Sequence, residues 1–216
     1  MREQHQHGRR AYNAPRRAAA AAQTRETIVQ AAKQSFEERG WAATTVHSIA
    51  VSAAVSPKTI EALFGTKAAL LKTVVDYAIR GDLLDLTMNQ RERAAAIDAA
   101  GDAGTMLDLH AAHVRTIQAR TARVAWSVEV AAPTDSHVAE LWNQMTANRL
   151  SGVRWATRTY MTKAGADASI KRTDVENTFW LALEWGTFRT MTEQHGLTAN
   201  QFERWLRGYY RRMLLA

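Results

Sequence analysis

The sequence of 216 residues contains no cysteine. Disulfides, zinc–thiolate centres and cysteine nucleophiles are therefore excluded. An intracellular protein has no difficulty with that, whereas a small secreted one usually has. No stretch approaches the roughly 18 apolar residues that a membrane span needs. The basic N-terminus lacks the apolar centre of a signal peptide, because Ala18–Ala22 is too short and too weakly apolar. A cytoplasmic protein without membrane contact is expected. Catalytic signatures are missing too: there is no glycine-rich phosphate loop, no His-Glu-x-x-His and no Gly-x-Ser-x-Gly elbow. No enzyme activity and no cofactor are expected. His110 and His113 are spaced to share a helix with Asp108, and His5 and His7 lie near the terminus, but no third ligand is evident. No metal site is expected.

What is present describes a globular chain. It is 46% hydrophobic and 23% charged, enough to bury a core. The net charge of +7 is uneven. Residues 1–25 hold six arginines against one acid, residues 26–67 hold four basic and four acidic groups, and the remainder is nearly neutral. A basic arm joined to a neutral body suits either a polyanion or plain solvent.

Residues 1–23 show no sustained periodicity and are expected to form a flexible basic arm, with helix at most near the alanines. From Thr24 the apolar positions Ile28, Ala31, Ala32, Ser35 and Phe36 recur at helical spacing, and Gly40 suits the residue after a helix end. A second short helix fits "TVHSIAVSA", with Thr45 as its N-cap and Ile49 and Ala50 turned inward. In "VSPKTIEALFGTK" Ser56 caps, Pro57 takes the first helical position, and Gly65 stops the helix after barely two turns. Thr66 caps the next. Such spacing is that of a helix-turn-helix unit, whose short second helix fits a DNA major groove. Beyond residue 80 the pattern stays helical, with long segments expected at roughly 104–131, 136–163, 173–195 and 198–214 from the turn chemistry between them. The fold class read here is all-α: an N-terminal three-helix helix-turn-helix domain over residues 24–80 and a larger helical ligand-binding and dimerisation domain over residues 81–216.

Residues 24–80 resemble the N-terminal domain of the TetR family of one-component transcriptional regulators. Phe36 with Gly40, Thr44–Thr45, Ile49–Ala50, Val55–Ser56, Thr59 and Phe64, then Lys67 with Leu70–Leu71, carry the likeness. It implies a homodimer that binds double-stranded operator DNA, most often as a repressor, and a small molecule that enters the C-terminal domain and moves the reading helices out of register. Carried over by position, Thr45 would meet a phosphate, His47 would face DNA, and Pro57, Lys58 and Thr59 would stand at the groove beside the cap Ser56. Lys67 would contact the backbone. The sequence departs from the family at Glu61, Ala62 and Leu63, where aromatic or histidine side chains are common. Glu61 cannot hold a phosphate; it either accepts from a cytosine amine or pairs with a nearby lysine. Because this section is neutral, the phosphate attraction is assigned to Arg9, Arg10, Arg16 and Arg17.

Six of the seven tryptophans lie beyond residue 100. These six, Trp126, Trp142, Trp155, Trp180, Trp185 and Trp205, with Met106, His113, Met145 and Phe188, are read as a candidate lining for an apolar effector cavity, or else as core. Glu129 and Glu184 each share a helix face with a tryptophan, which suits a lipophilic cation or simply an acid at a surface. "VENTFWLALEWGTFRTM" is apolar around most of its circumference, and "FERWLRGYYRRMLL" carries a stripe down one side. Phe179, Leu183, Phe202, Trp205, Leu206, Tyr209 and Met213 are therefore expected at a two-fold dimer interface. The function expected is a homodimeric repressor of a palindromic operator, released by an apolar or amphipathic effector. A regulator without a small-molecule ligand, and a helical enzyme with a vestigial DNA-binding domain, remain as alternatives.

Overall fold

The structure, a computed structural model, describes residues 5–83 and 92–215, with side chains from Arg16 onward. Helices form at α1 (His5–Ala43), α2 (Val46–Ser52), α3 (Pro57–Phe64), α4 (Lys67–Arg80), α5 (Glu92–Asp98), α6 (Ala103–Ala131), α7 (Ser136–Met161), α8 (Arg172–Ala182), α9 (Trp185–Arg189) and α10 (Ala199–Leu214). Among the described residues there is no strand, only one bridge between Asp102 and Ala164. The all-α expectation holds.

The chain divides into two compact units, residues 1–74 and 75–216. That division falls within α4, which continues six residues further to Arg80.

In the first unit α1 begins at His5. Residues 5–23 are thus helical, where an arm without sustained structure was expected. The alanine run is the best helix-forming sequence available, and it continues directly into a helix held by a core. That core contains Ile28, Val29, Ala32 and Phe36 of α1, Ile49 and Ala50 of α2, Ile60 and Phe64 of α3, and Leu70, Leu71 and Val74 of α4. Gly40 has φ 73° and interrupts the helical backbone there, as its place after the apolar stripe implied. The side chains of Arg9 and Arg10 lie outside the described residues.

The second unit is built on α6, which packs against α5, α7, α9 and α10. An aromatic cluster fills its centre. The Phe179 ring lies 4.9 Å from His110, 5.4 Å from Tyr210 and 6.4 Å from Tyr160, each edge-to-face. His110 Nδ1 and the Tyr210 hydroxyl are 2.8 Å apart, and the Tyr160 hydroxyl donates to the Leu214 carbonyl. Every large polar ring in this cluster has a partner, as burial demands.

Two expectations change here. The segment 173–195 is not one helix: Leu183 leaves the helix and Glu184 is extended at φ −73°, ψ 121°, separating α8 from α9. On α10 the buried stripe is Phe202, Leu206, Tyr210 and Leu214 at four-residue spacing. Phe179, Phe202 and Leu206, expected at a dimer interface, are fully buried inside the protomer. Trp205 and Tyr209 are half-buried and stack on each other at 5.5 Å, and Met213 is exposed. The sequence stripe therefore splits between two faces. Only three-dimensional packing tells which of two overlapping apolar stripes turns inward.

Candidate nucleic-acid interface and ligand cavity

The short helix α3 is set by four local devices. Ser56 Oγ accepts from the Thr59 amide at 3.1 Å and lies 2.9 Å from the Thr59 hydroxyl. Pro57 takes the first position, and Gly65 at φ 74° ends the helix. Ile60 and Phe64, one turn apart, bury its inner face. The Arg25 guanidinium lies 4.5 Å over the Phe64 ring and donates to the Leu63 carbonyl at 3.2 Å, so α1 holds the far end. A helix with both ends fixed keeps its outer face at a constant angle.

That outer face carries Lys58, Glu61 and Ala62, all exposed, with Ser56 exposed and Pro57 and Thr59 half-exposed at its start. The second helix adds an exposed Thr45 and His47. Thr45 is also a working cap: its side chain accepts from the Ser48 amide at 3.0 Å, and Ser48 Oγ accepts from the Thr45 amide at 3.2 Å. Between α2 and α3, Ala54 adopts φ 53°, a left-handed conformation that costs a residue with a Cβ roughly 1–2 kcal/mol. The neighbouring caps hold it there. Among the described residues the Glu61 carboxylate makes no ion pair, so the expected lysine partner is not found.

Lys67, for which the resemblance implies a backbone contact, also binds within the protein. Its ammonium donates to the Trp41 and Thr44 carbonyls at 2.9 and 3.0 Å and lies 3.8 Å over the Trp41 ring. The charge terminates α1 and ties it to α4. Lys67→Met should therefore lower the unfolding free energy by about 2 kcal/mol, read by urea denaturation. An unchanged midpoint would return Lys67 to the surface.

In the second unit a cavity of about 540 Å³ lies among the end of α4, α5, α6, α7 and the α8–α9 junction. Its apolar wall includes Ile79, Val114, Ile117, Leu183, Trp155 and Trp185. Its polar side includes His110, His113, Gln118 and Arg149. Burial pushes the His110 imidazole down to about 3, helped by His113. It pushes His113 down to about 4, helped by Arg93 and Arg120. Both rings are neutral near pH 7. His113 Nδ1 and Gln118 Oε1 are buried with no hydrogen-bond partner among the described residues.

Of the residues expected to line a pocket, His113, Trp155 and Trp185 do so. Met106, Met145 and Phe188 are core, and Trp126 is exposed beneath the Arg189 guanidinium at 4.0 Å. Trp142 packs on Trp185 at 5.6 Å, and Trp180 lies 3.9 Å from Arg149. Glu129 is exposed, and Glu184 pairs with Arg149. Neither acid lines the cavity, which removes the ground for a cation there. Leu183, expected at an interface, lines the cavity instead. Asp108 pairs with Arg211 at 2.7 Å and is not part of the cavity lining, whereas His110, held by Tyr210, and His113 both are.

Arg149 was missed from the sequence, although a signal existed. Leu141, Met145 and Val153 are buried along α7 at four-residue intervals, and position 149 falls on the same line. An arginine on an apolar stripe marks a buried charge.

Residues 28–74 match the family model described as "Bacterial regulatory proteins, tetR family". No curated protein sequence matches the chain. Among solved structures, a putative transcriptional regulator from Saccharomonospora viridis in complex with choline aligns at TM-score 0.66 and 15% identity, over 90% of this chain and 98% of that one. NalD of Pseudomonas aeruginosa, the secondary repressor of the MexAB-OprM multidrug efflux pump, aligns at 0.65 and 16%, over 89% and 97%. A putative TetR-family regulator from Rhodococcus sp. aligns at 0.62 and 16%, over 88% and 98%. Likeness at these identities establishes a shared fold.

Proposed function

Starting from a chain that carries the DNA-binding domain of TetR-family transcriptional regulators, we propose that it is a homodimeric repressor of a palindromic operator, released by a small molecule in the cavity of residues 75–216. The observation that carries this reading is α3: a two-turn helix fixed at both ends, presenting Lys58, Glu61 and Thr59 outward, has the size and placement to read a major groove. Thr45 and His47 flank it for backbone contact. In this reading the Glu61 carboxylate accepts from a cytosine amine, consistent with its lack of an ion pair among the described residues.

A single α3 reads one half-site, so two copies are needed. The outer faces of α8 and α10 offer the interface: Leu181 is 52% and Met213 47% exposed, and α10 also carries the half-buried Trp205–Tyr209 stack. The cavity supports release by a ligand, since it lies within ordinary small-molecule dimensions, ~300–1,000 Å³.

Selection of bound sites from random duplex DNA, with the purified full-length protein at near-physiological salt, tests the reading. The expected product is an inverted repeat whose half-sites lie about one helical turn apart. Recovery of no motif, with binding that vanishes as salt rises, would overturn it.

The basic segment makes a separate prediction. Arg16 and Arg17 are exposed on α1, ahead of its first core residue, Ile28, so removing residues 1–22 should leave the fold intact. The truncated protein should bind its site more weakly, with a salt dependence flattened by ~0.9 log units for each phosphate that the arginines no longer neutralise. An unchanged slope would clear these arginines, and Arg9 and Arg10 with them, of any DNA role.

A further inference from the structure

Arg80, Arg149, Arg158 and Asp76 line the cavity, and Glu184 pairs with Arg149 from outside that lining. Arg149 is the most committed of the three arginines. Its side chain is 7% exposed, and its guanidinium lies 3.9 Å from the Trp180 ring and 4.9 Å from the Trp185 ring. Stacking between two indoles orients a planar cation and leaves its rim for hydrogen bonds. Glu184 meets one nitrogen. The Nε is buried without a hydrogen-bond partner among the described residues. A desolvated cation with an unfilled N–H is costly to keep unless something else satisfies it.

The rest of the lining indicates the shape of that missing partner. Ile79, Val114, Ile117 and Leu183 form an apolar wall suited to a hydrocarbon or ring. Gln118 Oε1 and His113 Nδ1, both buried and unpartnered among the described residues, offer one further polar anchor. A cation cannot accept from the Arg149 N–H, and a fully neutral oil would leave it unfilled.

We propose that the cavity takes an amphipathic carboxylate, its head group on Arg149 and its apolar body along Val114, Ile117 and Leu183. This inference rests on the effector reading above and names the ligand class for the same site. Oxygen acceptors suit the guanidinium, because charge-assisted N–H···O bonds to a carboxylate are about twice as strong as neutral ones.

The test compares decanoate, decanol and decylamine, which share one alkyl chain and differ in the charge of the head. Binding to the full-length protein is read by quenching of tryptophan fluorescence, since Trp155 and Trp185 line the cavity. Decanoate should bind at least about tenfold more tightly than decylamine, with decanol between them. Arg149→Gln should abolish that preference. Because it also removes the stack and can destabilise the fold, Glu184→Gln serves as the second variant. It removes a competing carboxylate, leaves the stack, and should tighten decanoate severalfold. Equal or better binding of decylamine, no binding by any of the three, or a Glu184→Gln affinity that is unchanged or weaker would each overturn the proposal. Binding to the selected duplex separates the two readings. Decanoate that binds but leaves DNA occupancy unchanged keeps the carboxylate site and defeats effector control. Release by decylamine alone keeps effector control and defeats the carboxylate.

Discussion

Lowering the pH from 7.5 to 5 should cost the second unit about 4 kcal/mol of unfolding free energy. The origin is two buried histidines, His110 and His113, pushed down by burial to about 3 and about 4 from an ordinary value of 6.5. In the unfolded chain both take up a proton once the pH falls below ~6.5, and in the folded chain they refuse it. Protons therefore favour unfolding throughout the window between those values. Stability is complete above pH ~6.5 and falls by about 1.4 kcal/mol per histidine per pH unit below it, until His113 titrates near pH 4 and His110 near pH 3. Carboxylates do not blur the result above pH 5, because the shifted ones, Asp102, Asp167, Glu193 and Glu203, are all lowered and titrate below the window. For a domain with typical stability of 5–15 kcal/mol, roughly 4 is a large fraction. Urea denaturation at the two pH values measures it. His113→Gln should halve the loss, since one of the two proton sinks is gone. Equal midpoints at pH 7.5 and 5 would mean that the histidines are hydrated and charged in the folded protein, contrary to their burial.

Phe179→Ala is expected to remove about 3–5 kcal/mol, the range for truncating a buried phenylalanine. Its ring is fully buried and makes edge-to-face contacts with His110, Tyr210 and Tyr160 from three other helices, so the space left behind cannot collapse without moving all of them. Aromatic pairing adds to the loss beyond area alone. The same experiment decides between two roles for this residue. As core, it lowers the midpoint by the same amount at every protein concentration. As interface, it would dissociate the dimer at low concentration and spare a concentrated sample. The concentration-independent result is expected, and a concentration-dependent one would restore Phe179 to the interface that its helix's apolar circumference suggested.

The contrast between Phe179 and Ser56 shows what a one-dimensional pattern can carry. The helix-turn-helix unit was legible because its determinants are local. Ser56 reaches three residues along to Thr59, Pro57 brings its own φ, and Gly65 takes a positive φ that other residues resist. Ile60 and Phe64 lie one turn apart. Each device is complete within a few residues, so the order of symbols is enough. Even there, the sequence did not show the carbonyl partners of Lys67 at positions 41 and 44, which come from more than 20 residues away.

The second unit is written differently. Its helices follow from turn chemistry and apolar spacing, but the inward face of α10 was ambiguous, because the stripe through Tyr209 and the stripe through Tyr210 differ by one residue. The cavity is less local still. Ile79, Gln118, Arg149 and Leu183 meet in it from four separate stretches, and no short-range signal links an arginine at 149 to a glutamate at 184. By itself, then, the sequence determined the all-α class, the capped reading helix and the absence of cysteine chemistry, since these depend on composition and on hydrogen bonds spanning three or four residues. Tertiary structure decided which aromatics are core, where the cavity lies and that a buried arginine lines it, since burial and pairing are properties of contacts between distant segments, made only when the chain has packed.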